Sequence, residues 1–266
     1  MDNWNFPKFE GLTASLNALS TSISAFRATY FDTIRESITG VLTAISDRFA
    51  ELSKSLSEWS RPYRAIKKMG ENQYVYWDYL DDEMIDLILQ SKNVNKTLRE
   101  LNSHKGFADI KFVASECLES PRMVPYQKMF KQSMDAFENG SNELALLGFI
   151  SIIDGLLSDV SNKITATSIC GRANSILEKL ENSEAVEYND YAELALLITF
   201  RDSMEVLGAD SRFNQKEPKA LNRHWIMHGR SRRKKTKLDC VKMIRFIYGI
   251  ILLDEFSRKE AEWTNE

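Results

Sequence analysis

The chain has 266 residues and a formal net charge of -3, and apolar residues make up 43% of it. This balance is that of an ordinary soluble protein, and it excludes a chain that binds nucleic acid over its whole surface. The three dispersed cysteines, Cys117, Cys170 and Cys240, exclude a disulfide framework and favour a cytoplasmic location. Only 11 glycines and 5 prolines are present, which together with long amphipathic runs predicts an all-α fold.

The first predicted element is one long amphipathic helix, from Leu12 to Trp59. Its apolar residues recur every three or four positions, as at Leu12, Leu16 and Leu19, which is close to the heptad spacing of a coiled coil, with a local stutter of consecutive fours from position 26 to 38. We therefore predict that residues 1–61 form an association region that binds a second copy or a partner. The alternatives are packing on the body of the chain and a membrane-surface helix, and the few cations on the polar face disfavour the latter.

Residues 62–120 are predicted to be a helical connector that begins after Arg61 and ends before Pro121. This stretch contains no recognisable chemical motif. Its most conspicuous feature is an aromatic cluster, which favours a core position over stacking on nucleic-acid bases. The members of the cluster are Tyr74, Tyr76, Trp77 and Tyr79.

Residues 121–266 are predicted to form a helical bundle. Prolines at 121 and 125 mark its start, and Asn139 and Gly140 are expected to end one of its helices. The longest apolar runs, such as Ile244 to Leu253, are too short and mixed to cross a bilayer, so no membrane association is predicted. The expected helices are 126–138, 142–160, 172–180, 191–207, 218–228 and 238–258.

The most informative segment runs from Asn222 to Gly229 and has the sequence Asn-Arg-His-Trp-Ile-Met-His-Gly. Histidine takes or gives a proton near neutral pH, and arginine presents a charged fork of donors that fits phosphate. Arg223, His224 and His228 are therefore a compact set of groups for cleaving RNA without a metal. The alternative is that these residues cap a helix end and complement its dipole.

A zinc site is a second alternative for the histidines. His224 and His228 are four residues apart, which is good ligand spacing on a helix. The metalloprotease motif, however, has Glu directly after the first histidine, and this chain has Trp225 there. The remaining histidine, His104, is far away in the sequence, and no cysteine is near the pair. We therefore predict no metal and no cofactor.

The segment resembles the Arg-x(4–6)-His motif of HEPN-domain ribonucleases, in which a polar residue usually follows the arginine. The run from Ile153 to Leu157, Ile-Asp-Gly-Leu-Leu, is similar to the acidic-Gly-Leu-Leu segment in the second helix of many HEPN domains. The resemblance covers roughly residues 121–258 and implies a HEPN-like bundle. It is strongest to toxin-like effectors of bacterial abortive-infection and anti-phage systems.

The resemblance also implies a mechanism in which the 2′-OH of RNA attacks its own phosphate, leaving 2′,3′-cyclic phosphate and 5′-OH ends. His228 is the implied base or acid, and Arg223 binds the non-bridging oxygens. His224 is expected to position the phosphate or a carboxylate. Asn222 is expected to fix backbone or phosphate geometry, and Asp154 to orient a histidine or arginine of the site.

A homodimer is the expected partnership. Arg223 and His228 are about 140° apart around an ideal helix, so one straight helix does not aim both at the same phosphate. The family resemblance implies that two copies of the motif face each other across one cleft. A homodimer or a dimer-based oligomer is therefore expected, with an antitoxin or an activator as a further partner.

The motif is followed by a basic run with six cationic residues among positions 230–237. We predict that it contacts RNA phosphates, which adds affinity and salt dependence with little sequence preference. A solvated linker is the alternative for this run. For the whole chain, the alternatives to a nuclease are a non-catalytic RNA- or nucleotide-binding module and a helical scaffold of a defence system. The candidate RNA-binding residues are Arg230, Arg232, Arg233, Lys234 and Lys235.

Overall fold

The structure, a computed structural model, describes residues 61–76, 80–103, 106–161, 168–181, 191–209 and 213–263. The chain divides into two compact units, Met1–Tyr63 and Arg64–Glu266. The long helix predicted from Leu12 to Trp59 lies outside the described residues. The second unit holds both the predicted connector and the predicted bundle, and the following description concerns that unit.

The described residues form α-helices and one 3-10 helix, with no strand among them, which confirms the all-α prediction for this part of the chain. The elements in chain order are α1 (61–71), α2 (Asp82–Gln90), α3 (Val94–Ser103), α4 (Ala108–Glu119), η1 (Pro121–Tyr126), α5 (Gln127–Glu138), α6 (Asn142–Ser161), α7 (Ile169–Glu181), α8 (Tyr191–Leu207), α9 (Arg223–Met227) and α10 (Lys237–Trp263).

The predicted helix at 218–228 is wrong for its first five residues. Asn222 has an extended backbone, with φ -130 and ψ 124, so α9 begins only at Arg223. The reason is a contact from outside the segment, because the side chain of Gln73 pairs with both backbone groups of Leu221. The predicted ends of α5 at Asn139 and of α8 at Leu207 agree with the structure.

The central element of the unit is α6, which packs against α5, α7, α9 and α10. By length and composition alone this helix is apolar enough to cross a membrane, with a mean hydropathy of 1.7 over its most apolar window. That window is 56% buried within the protein, and Phe149, Ile150 and Ile153 have no exposed surface. Packing in the core therefore accounts for its apolar character.

The predicted connector, residues 62–120, lies in the same unit as the bundle. Both α3 and α4 pack against α10, and the aromatic pair Tyr74 and Tyr76 is buried as expected for core residues. The guanidinium of Arg245 lies over these two rings, at 5.1 and 6.0 Å from their centroids. Trp77 and Tyr79, the other members of the predicted cluster, lie outside the described residues.

The start of the bundle is tied to its last helix by an ion cluster. Arg122 in η1 donates from Nε and Nη2 to the two carboxylate oxygens of Asp254 in α10, at 2.8 and 2.9 Å. Arg258, one turn further along α10, also donates to Asp254. The Asp254 side chain is only 5% exposed, so both arginines neutralise a carboxylate that has left water.

Candidate functional site

The segment from Asn222 to Gly229 folds as a single helical turn with a built cap at each end. The Asn222 side chain accepts a hydrogen bond from the backbone N–H of Trp225 and so caps the start of α9. Gly229 has a φ of +63, its N–H bonds to Ile226 O, and the N–H of Arg230 bonds to Trp225 O. This pair of bonds is a Schellman motif, which explains why His228 is followed by glycine.

The approach to α9 is held by Gln73. Its Nε2 donates to Leu221 O and its Oε1 accepts from Leu221 N–H, both at 2.7 Å and both buried. Gln73 itself has a φ of +61, a left-handed conformation that costs free energy in a residue other than glycine. These two bonds fix the backbone of Leu221, and the segment that carries Arg223 therefore begins from a fixed point.

Asp154 on α6 lies against the arginine of the motif. Arg223 Nη2 donates to Asp154 Oδ2 at 2.7 Å, and Arg172 Nη2 of α7 donates to Oδ1 at 2.6 Å. The side chains of Arg223 and Asp154 are 21% and 27% exposed, so the pair faces solvent at one side. The structure thus brings together two predicted site residues, and the carboxylate limits the orientations open to the Arg223 guanidinium.

Arg172 is a member of this cluster that the sequence analysis missed. Besides binding Asp154 it donates to Ser158 Oγ, and its side chain is only 12% exposed. The available signal was its position on α7, three residues after Ile169 and four before Ile176, which are both buried. A cation on the core-facing side of a helix predicts a buried acidic partner, although it does not identify which one.

Steric contact with a neighbouring ring explains why glycine follows Asp154, at position 155. A Cβ at position 155 would lie 2.5 Å from the Tyr126 hydroxyl oxygen and 2.6 Å from Cε1 of the same ring. Tyr126 donates its hydroxyl to Asp159 at 2.7 Å, and burial, followed by this carboxylate, raises its pKa. The Asp-Gly pair therefore combines a carboxylate for the site with a gap for a neutral tyrosine ring.

The two histidines of the motif lie side by side. The rings of His224 and His228 are nearly parallel, with 6.2 Å between centroids and 4° between planes. Phe213 presents an edge contact to His228 at 5.5 Å, and Arg230 lies 4.9 Å above the Phe213 ring. His228 is exposed, so its imidazole is accessible to a substrate. Phe213, which has no signature in the sequence, was not predicted.

Arg223 and His228 occupy opposite ends of α9. Arg223 is the first helical residue and faces Asp154, whereas His228 is the C-cap residue and contacts Phe213. The one-turn helix is about 7.5 Å long, at 1.5 Å per residue. This arrangement agrees with the geometric argument that one helix does not direct both side chains at one phosphate, and the homodimer remains a prediction.

The basic run after the motif is shaped by Glu217. Its carboxylate accepts from the Ser231 hydroxyl and from the backbone N–H groups of Arg232 and Arg233, the latter two at 2.9 and 3.2 Å. Burial opposes the charged form of Glu217, but these bonds and Lys235 outweigh it and lower its pKa. The run is therefore a defined turn bound to an anionic side chain.

The five predicted RNA-binding cations do not share one environment. Arg230, Arg232 and Lys234 are exposed. Arg233 instead pairs with Asp239 through two bonds of 3.2 Å, and Lys235 is only 5% exposed. Lys235 Nζ donates to Arg233 O at 2.8 Å and lies 3.8 Å from Glu217. Its charge points into the turn, so we expect Lys235 to support the turn rather than to contact RNA directly.

Within the described residues no group of three or more His, Cys, Asp or Glu side chains could hold a metal ion. His104 lies outside those residues, and the three cysteines are buried and form no disulfide. No protein-family model, curated protein or solved structure matches the chain. The chemistry of the site therefore has to be inferred from its own side chains.

Proposed function

We propose that Arg223, His224 and His228 form the centre of a metal-independent endoribonuclease in a HEPN-like domain. The observation that carries this proposal is Arg223 held by Asp154, on a short helix with a parallel pair of imidazoles of which His228 is exposed. Three exposed cations follow within the next six residues. Phosphate binding, proton transfer and attraction of a polyanion are thus supplied by one short segment.

The proposed reaction needs no external nucleophile. A base takes the proton of the ribose 2′-OH, whose oxygen attacks the adjacent phosphorus. The bond from phosphorus to the 5′ oxygen breaks, and an acid protonates that oxygen, which leaves a 2′,3′-cyclic phosphate and a 5′-OH. DNA is inert in this reaction because it lacks the 2′-OH.

The side chains have separate roles in this scheme. His228 is the base or acid, since it is exposed and histidine is the side chain that most often transfers protons in catalysis. Arg223 neutralises the charge that develops on the non-bridging oxygens. Asp154 and Arg172 are positioning residues that fix Arg223, and His224 positions His228 or the phosphate. A second copy of the chain supplies the complementary half of the site.

The proposed biological role is that of a toxin-like effector that cleaves cellular or phage RNA during infection. This role rests on the resemblance of the motif from Asn222 to Gly229 and of the Asp154-Gly155 segment. An antitoxin or an activator is proposed as the partner that controls it. The exposed side of the Arg223 and Asp154 pair is the surface through which such control would act most directly.

A second candidate function is a module that binds RNA or a nucleotide without cleaving it. The observation that favours it is that local structure already explains two motif residues, since Asn222 caps α9 and Gly229 ends it. Arg223 and the exposed cations would then hold phosphate, and the histidines would have no role in proton transfer. The two candidates differ in what happens when His228 is removed.

The deciding experiment is a cleavage assay of the full chain on total tRNA and a mixed transcript in EDTA. We expect cutting that leaves cyclic-phosphate ends and falls by about 10²- to 10⁴-fold in His228→Ala. His104→Ala, which removes the histidine outside the motif, is the matched control and should cut normally. Persistent cutting by His228→Ala would contradict the assignment. No cutting with equal RNA retention by both proteins would favour the binding module.

A further inference from the structure

A polar cavity of about 450 Å³ lies on the other side of the segment that leads into the motif. Its wall is built from the end of α1, the first turns of α3 and α10, and residues 219–221. This volume falls within the range of sites that bind nucleotide-sized ligands. None of the residues proposed for proton transfer contributes to it.

The lining of the cavity carries an excess of positive charge. Lys96, Arg99, Lys219 and Lys242 all line it. Arg233 and Asp239 also line it but neutralise each other through their two bonds. The remaining carboxylate among the described lining residues belongs to Glu71. Lys96 lies 3.8 Å from Glu100, an exposed residue of the same helix. The other three cations against one anion give a local potential that attracts a negatively charged ligand.

Lys242 is the member of this set that has left water. It is 5% exposed, and its Nζ donates to Asn95 Oδ1 at 2.5 Å. The amide of Asn95 is fixed in turn, because its Nδ2 donates to Asn72 Oδ1 at 2.9 Å and Asn72 donates to Lys68 O at 2.8 Å. The hydrogen-bond partner of this buried ammonium is thus a neutral amide, which satisfies a donor without balancing the charge.

The pKa of Lys242 reflects the burial and the charges around it. Burial lowers its pKa to about 8, while Asp239 opposes that shift and Arg233 adds to it. Two helices also begin at the cavity, since Asn93 accepts from Lys96 N–H at the start of α3 and Thr236 precedes α10. Their partial positive ends add to the field of the side chains.

We propose that this cavity binds a compact phosphorylated ligand of nucleotide size, with its phosphate between the buried Lys242 and the exposed Arg99 and Lys219. A phosphate group offers more than one negative charge and several acceptor oxygens, which suits a cluster of cations and amide donors. The depth of Lys242 favours a small molecule over a nucleic-acid strand, whose phosphates follow a surface groove.

The position of the cavity gives the ligand a structural consequence. Residues 219–221 line it before the motif, and Arg233, Thr236 and Asp239 line it after the basic run. The segment 222–232 therefore leaves the cavity wall and returns to it. A phosphate that contacts both ends of this segment would stabilise it, and binding itself does not depend on the proposed ribonuclease activity.

The test measures binding of pyrophosphate, ATP and uncharged adenosine to the full chain by calorimetry. Lys242→Met removes the buried charge at similar volume, and Arg99→Ala removes an exposed cation at no risk to the core. Lys128→Ala, an exposed lysine on α5, is the matched control. We expect pyrophosphate or ATP to bind, with about tenfold or greater weakening in the two cavity variants and none in the control.

The comparison of ligands identifies the source of the phosphate. Tighter binding of ATP than of pyrophosphate indicates a nucleotide, and equal binding indicates recognition of the phosphates alone. Failure of both anions to bind would overturn the proposal, as would binding that is unchanged in Lys242→Met and Arg99→Ala. Displacement of pyrophosphate by short single-stranded RNA, with the same losses in the variants, would assign the cavity to RNA instead.

Discussion

Two aspartates in the unit, Asp154 on α6 and Asp254 on α10, are each bound by two arginines, yet their surroundings differ. Asp254 is 5% exposed and Asp154 is 27% exposed. Each carboxylate accepts hydrogen bonds through both of its oxygens. Asp154 connects α6 to α7 and α9, and Asp254 connects α10 to η1. The pairing of one aspartate with two arginines is therefore a means of holding helices together, and by itself it does not indicate chemistry.

The difference lies in what surrounds each cluster. At Asp254 one arginine lies in η1 and the other in α10, and the cluster joins these two elements. At Asp154 one partner, Arg223, belongs to a short helix that also carries His224 and His228. The exposed imidazole of His228 at the end of that helix is what distinguishes the Asp154 cluster, since the ion pair occurs in both places.

The largest expected effect comes from exchanging the two carboxylates for amides. Asp154→Asn should lower RNA cleavage by about 10²-fold, because a guanidinium that is misplaced by about 1 Å loses its fit to the phosphate. Asp254→Asn should leave cleavage unchanged but lower the free energy of unfolding by about 2–3 kcal/mol, because two arginines lose a charged acceptor. Cleavage rates and urea unfolding of both variants measure this difference. An equal loss of cleavage in both would mean that Asp154 acts only through stability.

The second prediction concerns the buried charge of Lys242. The Asp254 carboxylate is bound by two arginines, whereas the Lys242 ammonium donates to the neutral amide of Asn95. Lys242 has a pKa of about 8 in the folded chain, below its ordinary value of 10.5. The unfolded chain therefore binds more protons between these values, and the free energy of unfolding rises with pH there. Relative to Lys242→Met, the wild-type chain should gain about 2 kcal/mol between about pH 8 and 10.

Urea unfolding across this pH range measures the gain, with Lys128→Met as the control for loss of an exposed lysine. Asp239 and Arg233 face Lys242 from the same end of α10 and have opposite effects on its pKa. A constant difference between wild-type and Lys242→Met at all pH values would mean that Lys242 is solvated in the folded chain. The cavity would then be wetter than its burial indicates.

Much of the helical framework could be predicted from sequence because its signals are local. Apolar spacing and the Asn139-Gly140 pair placed the ends of α5, and the uninterrupted apolar run placed α6. The cap residues Asn222 and Gly229 are also local signals, each acting within a few residues. What a neighbouring segment decides could not be predicted, as with the non-helical residues 218–222, where the responsible Gln73 is 148 residues away from Leu221.

In the candidate site, too, local signals could be predicted from the sequence, whereas contacts from distant segments could not. Its motif is contiguous and was recognisable, but Arg172 and Phe213 reach it only through folding. The basic run was judged by composition, which counts cations without giving their direction. Glu217, 14 residues before Ser231, turns Lys235 inward, and no periodicity in the sequence predicts that contact.

The smallest expected effect concerns the exposed cations of the basic run that follows α9. If Lys234 contacts one RNA phosphate, Lys234→Ala should reduce the slope of log binding constant against log salt concentration by about 0.7 for single-stranded RNA. Lys235→Ala should leave that slope unchanged and lower stability instead, because its ammonium is buried against Glu217. Filter binding at several salt concentrations, with catalysis blocked by His228→Ala, measures both slopes. A loss of slope in Lys235→Ala equal to that in Lys234→Ala would mean that the turn opens when RNA binds.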